Sequence, residues 1–268
     1  MKTRVSIQLG LASILGIFLV SPVQASGIVN GTFVSGLNGW TSYGDVGIKG
    51  NYAGGPVNGS VNQAIVTNAS SNPSPDSNGN FNVSGNTAVD ISTLESDLNL
   101  TPDTLTPSDA IFGAVNGSAL TQSFSVSAGD NLNFTWKFLT NDTTQVDPNN
   151  FPGLQDADDA VVIITTGTSQ KIFTLADTSS PFLSSATDGS SYLRDTPFES
   201  FNYTLPTTGI YNLELVVTNQ GNSALTSSLL LDNVNTSSIN VPEPANFLAV
   251  TVALGAQWIL IQRKKSQE

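Results

Sequence analysis

Neither cysteine nor histidine occurs among the 268 residues of the chain. The first absence excludes disulfides, zinc thiolates and thiol nucleophiles. The second removes the commonest general base and the commonest transition-metal ligand, so a Ser-His-Asp triad cannot be assembled. Charge is also scarce, at 11% of residues, and 21 acidic against 9 basic side chains leave a formal net charge of −12. That balance disfavours nucleic acid and anionic lipid as partners of the body of the protein. It suits hard cations such as Ca²⁺. Carboxylate pairs, Ser-Lys dyads and Ca²⁺ sites are the chemistry that survives these exclusions.

What is present points to an exported β protein. Hydrophobic residues make up 39% of the chain, enough for one sizeable core or two small ones. The N-terminus carries Lys2 and Arg4, an apolar run from Ile7 to Val20, the helix-breaking Ser21-Pro22 and the small-residue site Val23-Gln24-Ala25. This order reads as a secretory signal over residues 1–25, cleaved between Ala25 and Ser26.

The C-terminus has three parts in strict order: Val241-Pro242-Glu243-Pro244, an apolar stretch from Ala245 to Ile261, and the cluster Arg263-Lys264-Lys265. The apolar stretch is just long enough to cross a thin bilayer as a helix. The positive cluster after it holds that end on the cytoplasmic side and leaves the body outside. The arrangement resembles the PEP-CTERM sorting signal of Gram-negative bacteria, with Gln257 in the helix and mixed Arg and Lys as mild departures. The resemblance implies recognition and processing by an exosortase, transient anchoring in the inner membrane, and an exopolysaccharide-producing, cyanobacterial host. Pro242, Glu243 and Pro244 would be the recognition element, and Arg263, Lys264 and Lys265 the stop-transfer charge. Residues 239–268 form this tail, and 26–238 the ectodomain.

The ectodomain reads as all-β. Leu132, Phe134, Trp136 and Phe138 alternate with Asn133, Thr135 and Lys137, the clearest period-two pattern present. Leu120, Phe124 and Val126 share one parity of the run before it. Ala128-Gly129-Asp130 is turn chemistry, which predicts a hairpin between the two runs. Ala160 to Thr165 is continuously apolar, suiting a strand covered on both faces. Phe201, Tyr203 and Leu205 alternate, Pro206 to Gly209 turns the chain, and Tyr211, Leu213, Leu215 and Val217 follow at period two. The last strand is predicted over Ser227 to Val234, and a short helix over Ile91 to Leu98. Asn68 to Asn86 is poor in apolar residues and is expected to be a mobile excursion. Short strands with polar turns indicate a sandwich.

Two segments carry a further resemblance. Asn30-Gly31-Thr32-Phe33 with Gly36-Leu37-Asn38-Gly39-Trp40, and Leu229-Leu230-Leu231-Asp232-Asn233-Val234, look like the first and final strands of galactose-binding-like jelly rolls. That family includes many carbohydrate-binding modules, and its members commonly hold a structural Ca²⁺ through an Asp of the final strand. The resemblance carries this role to Asp232 and, with it, Asn30. Parity leaves the face of Asp232 open. It is buried if Leu230 and Val234 point inward, and solvated if Leu229 and Leu231 do. A buried carboxylate calls for a cation or several donors.

Three other groups are candidates. Asp156, Asp158 and Asp159 form either an oxygen-rich Ca²⁺ loop or a solvated acidic one. Trp40, Tyr43 and Tyr52 lie in Gly-rich sequence, where rings either stack on sugars or pack in the core. Glu199 and Glu214 are the carboxylates available for a glycosidase pair, although no spacing nominates one. The sequence therefore predicts a non-catalytic surface protein, structural or adhesive in the envelope or polysaccharide matrix. The alternative is a carbohydrate-binding module that attaches the cell to a glycan.

Overall fold

A computed structural model describes residues 27–57, 59–70, 81–106, 113–142, 157–221 and 225–238. The signal segment with Ala25 and Ser26, Asp156, and the tail with Pro242, Glu243, Pro244, Arg263, Lys264 and Lys265 lie outside the described residues. Among the described residues, the strands are β1 (Thr41–Tyr43), β2 (Asp45–Lys49), β3 (Gln63–Thr67), β4 (Val89–Asp90), β5 (Ala114–Val126), β6 (Asn131–Thr140), β7 (Asp159–Thr166), β8 (Ser169–Asp177), β9 (Ser184–Ser185), β10 (Arg194–Asp195), β11 (Glu199–Thr204), β12 (Gly209–Gln220) and β13 (Ser227–Ser237). One short helix, α1 (Ile91–Asp97), follows β4, with Asp90 capping it by accepting from the Ser92 amide at 3.0 Å.

The strands form two antiparallel sheets. One runs β1-β5-β12-β7-β8, with β4 also paired to β5; the other runs β2-β3-β13-β6-β10-β9, with β11 also paired to β6. They are called here the β5 sheet and the β6 sheet. Residues of one parity from each sheet meet between them: Leu120, Phe124, Val162, Ile164, Tyr211, Leu213, Leu215 and Val217 from one side, and Leu132, Phe134, Trp136, Phe138, Leu229 and Leu231 from the other. The period-two runs of the sequence are thus the inner faces of a β-sandwich.

The predicted hairpin does not form. β5 pairs with β1, β4 and β12, whereas β6 pairs with β13, β11 and β10. Ser127 to Asp130 is an arch between sheets, tied down by Gly129 N to Leu205 O and Leu205 N to Asp130 O, both at 2.8 Å. Both runs must turn an apolar face to the same core, and two strands from opposite sheets meet that demand as well as a hairpin does. The β11–β12 turn at Pro206 to Gly209 is a second arch of the same kind.

The outward parities are not left to water. On the β5 sheet, Ala119, Val161, Ile163 and Val216 are covered by Leu94 and Leu98 of α1 and its end, and by Leu100 and Leu105 beyond. Glu95 ties that covering loop down, accepting from the amides of Asp103 (3.0 Å) and Leu105 (2.8 Å). On the β6 sheet, Ile65, Leu139 and Leu230 are covered by Ala53, Phe81 and Tyr192, with Tyr52, Val83 and Phe198 packed around them. Phe81 lies within the Asn68 to Asn86 segment expected to be mobile, and both described parts of that segment are held. The Asn68 amide donates to Asp158 at 2.9 Å, and the Phe81 amide donates to Thr226 Oγ1 at 2.9 Å.

Candidate functional site

Asp232 lies on the outer side of the β6 sheet, as the inward Leu229 and Leu231 require, yet it is wholly buried. The two expectations for it were buried with Leu230 and Val234, or solvated; neither describes it. A bulge between Asp232 and Asn235, with Asn233 at φ 56°, resets the parity, so Val234 turns into the core although Leu230 faces outward. The Asp232 carboxylate accepts from the amides of Val57 (2.9 Å) and Asn233 (2.7 Å), the several-donor solution to its burial.

Asn30 organises its own loop. At φ 54° its amide donates to the carbonyls of Gly36 (2.8 Å) and Asn38 (2.9 Å), and its side-chain oxygen accepts from Ser35 N (3.1 Å). The next residue must be glycine: a Cβ at Gly31 would stand 1.6 Å from the Val234 carbonyl, where the first segment closes on β13. Among the described residues no group of three or more acidic side chains is placed to hold a metal ion.

Of the acidic cluster, Asp158 and Asp159 are buried and not solvated. Asp158 is buried and accepts from Asn68 Nδ2 (2.9 Å) and Ser227 Oγ (2.7 Å), and Asp159 accepts from Gln220 Nε2 (3.1 Å). Burial pushes the Asp158 carboxyl up to about 8, against the hydrogen bonds that favour its charge. It joins the open ends of β3, β12 and β13 as a polar clasp.

The three aromatic candidates separate. Trp40 is 9% exposed in the core, its ring centroid 5.5 Å from that of Phe33 and its Nε1 donating to Asn30 O at 3.3 Å. Tyr52 stacks on Phe81 with centroids 6.0 Å apart and planes 4° from parallel. Tyr43 is half-buried at the edge of a cleft on the outer face of the β5 sheet, donating to the Asp97 carbonyl at 3.4 Å. Glu199 and Glu214 belong to different sheets and do not converge.

The cleft is about 210 Å³ and is lined by Thr41, Tyr43, Thr121, Ser123, Asn212 and Glu214, with the end of α1 at Asp97 to Asn99 as its wall. Its floor follows from register. Thr41 pairs with Thr121 and Thr121 with Glu214, while Ser123 pairs with Asn212, so two rows of polar side chains run beside the rows that α1 covers. Glu214 is 2% exposed, and its Oε2 has no hydrogen-bond partner. Burial raises its carboxyl to about 8, which keeps it protonated and able to donate at neutral pH. The sequence nominated Glu214 only for a pair it does not make. The signal that marks it is a lone acid in an apolar strand whose outward neighbours, Asn212 and Ser123, are polar.

No protein-family model matches the chain, and no curated protein does. Solved structures give distant likenesses. The carbohydrate-binding module TmCBM61 in complex with β-1,4-galactotriose is 10% identical, over 78% of this chain and 95% of that one, with a TM-score of 0.39. A second module of carbohydrate-binding family 16 is 11% identical, over 79% and 99%, with a TM-score of 0.36. The enzymatically active domain of tailspike protein 4 from bacteriophage CBA120 is 9% identical, over 80% and 21%, with a TM-score of 0.37.

Proposed function

We propose that the sandwich is a non-catalytic, glycan-binding surface module, exported by its N-terminal signal and displayed through exosortase processing of the Pro242-Glu243-Pro244 tail. The cleft on the β5 sheet carries the binding half of this reading. Sugar hydroxyls each donate and accept, and Thr41, Thr121, Ser123 and Asn212 offer both functions on a pleated floor. Protonated Glu214 adds a donor whose buried oxygen otherwise lacks a partner. Tyr43 supplies a half-exposed ring at the rim, the kind of apolar surface on which a sugar face packs.

Binding is tested on arrays of plant, algal and bacterial polysaccharides. Tyr43→Ala and Asn212→Ala should each weaken the bound glycan about tenfold, as losing about 1.4 kcal/mol of contact would. Silence of the unaltered protein across all three sets removes the glycan reading, and release of new reducing ends would make the protein a hydrolase. Display is tested by intact mass and cell fraction, with and without the exosortase. The expected surface form lacks residues 1–25 and the 245–268 segment. An intact tail in the inner membrane of both strains would reduce the Pro-Glu-Pro element to an anchor.

A further inference from the structure

On the outer face of the β6 sheet, Lys137 stands opposite Leu230 in register and is only 6% exposed. Its ammonium contacts the carboxylate of Asp188, lies 2.8 Å from Asp195 Oδ2, and donates to the Ala53 carbonyl at 3.1 Å. The ring of Phe198 lies beneath it, 5.4 Å from Nζ to centroid. Tyr192 and Ala53, both buried, close the surroundings.

The charges of this group do not balance as they stand. One cation and two carboxylates leave an excess negative charge in a place shielded from water, and such a charge is costly. One proton held on the carboxylate pair removes it. Asp195 is the holder: burial raises its carboxyl, and the neighbouring Asp188 adds to the rise against the pull of Lys137. Burial alone would raise Asp188 as well, but hydrogen bonds from Lys137, Asp195 and Ser190 bring it below the ordinary range. Moving a single proton from the ammonium to Asp188 then yields an amine and two carboxylic acids in contact, all uncharged. The ion pair is the resting form, and condensation runs through this uncharged tautomer, in which an amine is held against a carboxylic acid. Fixed groups of this kind reach effective concentrations on the order of 10⁵–10⁸ M.

We propose that Lys137 and Asp188 condense into an intramolecular amide, with Asp195 moving the protons. The Nζ lone pair forms a bond to Cγ of Asp188, and one Cγ–O bond breaks. The departing oxygen leaves as water, taking the proton of the Asp188 carboxyl and one from the amine. Asp195 delivers a proton to the leaving oxygen and regains one from the nitrogen, so it ends as it began. No oxidant, metal or cofactor enters the balance. The bond fastens the β9–β10 turn, which carries Asp188, to the central strand β6, and so locks the cover of this face. The inference is independent of the glycan reading.

Peptide mapping of the full chain, denatured before trypsin, decides it. Trypsin cuts after Arg194, so Asp188 and Asp195 fall on different peptides. The expected digest lacks cleavage after Lys137 and contains residues 50–171 joined to 172–194, lighter than their sum by one water. Asp195→Asn should leave the two peptides unjoined in a chain whose circular dichroism is unchanged, and Lys137→Arg should restore cleavage at position 137. A wild-type digest with free 138–171 and free 172–194 overturns the proposal and leaves an ion-paired cluster. A link to the peptide that begins at Asp195 overturns the role given to Asp188.

Discussion

Among the described residues, loops roof Ile65, Leu139 and Leu230 on the outer face of the β6 sheet, whereas on the β5 sheet α1 and the loop after it cover Ala119, Val161, Ile163 and Val216 and leave the cleft beside them. Under the first roof, carboxylates and a lysine have been drawn into matched sets, although Gln63 Oε1 and Arg194 Nε on the same sheet have no hydrogen-bond partner. Asp45 accepts from the amides of Val83 (2.9 Å) and Ser84 (2.7 Å), Asp232 accepts from Val57 and Asn233, and Lys137 meets two carboxylates. Each set ties a covering loop to a strand. Beside the α1 end, buried Glu214 keeps an unpartnered oxygen, and the polar row next to it faces a cleft. The difference teaches where to look for work. Buried polar groups with their partners in place hold the fold, and a buried polar group without one, beside an opening, is where a ligand would complete the set.

The comparison breaks if both faces respond alike to truncation. Leu230→Ala under the roof should cost about 2–5 kcal/mol, since its outer-face neighbours Ile65 and Leu139 cannot follow the lost methyls. Ser123→Ala in the cleft, where the hydroxyl meets only Asn212 among the described residues, should stay within about 0.5 kcal/mol. Urea midpoints of the two variants check this. A loss at Ser123 comparable to that at Leu230 would mean that the cleft is a stability element.

How much of this could be read beforehand depended on periodicity. The run Leu132, Phe134, Trp136, Phe138 shows as an inner face because one parity is apolar throughout, and those residues do line the core. The arch at 127–130 looked like a hairpin because turn residues mark a change of direction without saying which sheet the chain enters. Asp232 defeated parity because the bulge at Asn233 shifts the count by one, and a left-handed Asn leaves no trace in the pattern. Lys137 read as an ordinary outward residue. Its burial is made by Ala53, Tyr192 and Phe198, none of which adjoins it in sequence. The available hint was aromatic: Tyr52, Phe81, Tyr192 and Phe198 all sit in or beside turns, where a solvated loop has no use for large rings. In the cleft, Tyr43 was nominated from composition, but the polar rows beneath it follow from strand register, which only the paired sheet supplies.

The smallest expected effect sharpens the contrast, because Glu214 and Asp158 are both buried acids and only one borders an opening. An acid whose folded value lies above its unfolded one stabilises the fold while the unfolded chain is still protonated. That advantage is lost as pH rises toward the folded value. For Glu214 the window runs from the ordinary 4.5 to about 8, and for Asp158 from 3.8 to about 8. Stability should therefore fall with rising pH across that range, by a few kcal/mol at most once solvent reaching the cleft is allowed for. Glu214→Gln keeps the shape and removes one of the two contributions, so it should match the unaltered protein near pH 4 and exceed it near pH 8. Part of the slope should remain, because Asp158 is unchanged. Thermal midpoints at the two pH values read the difference. If the variant matched the unaltered protein at both pH values, Glu214 would already be ionised in the folded protein, and the donor assigned to the cleft floor would be an acceptor instead.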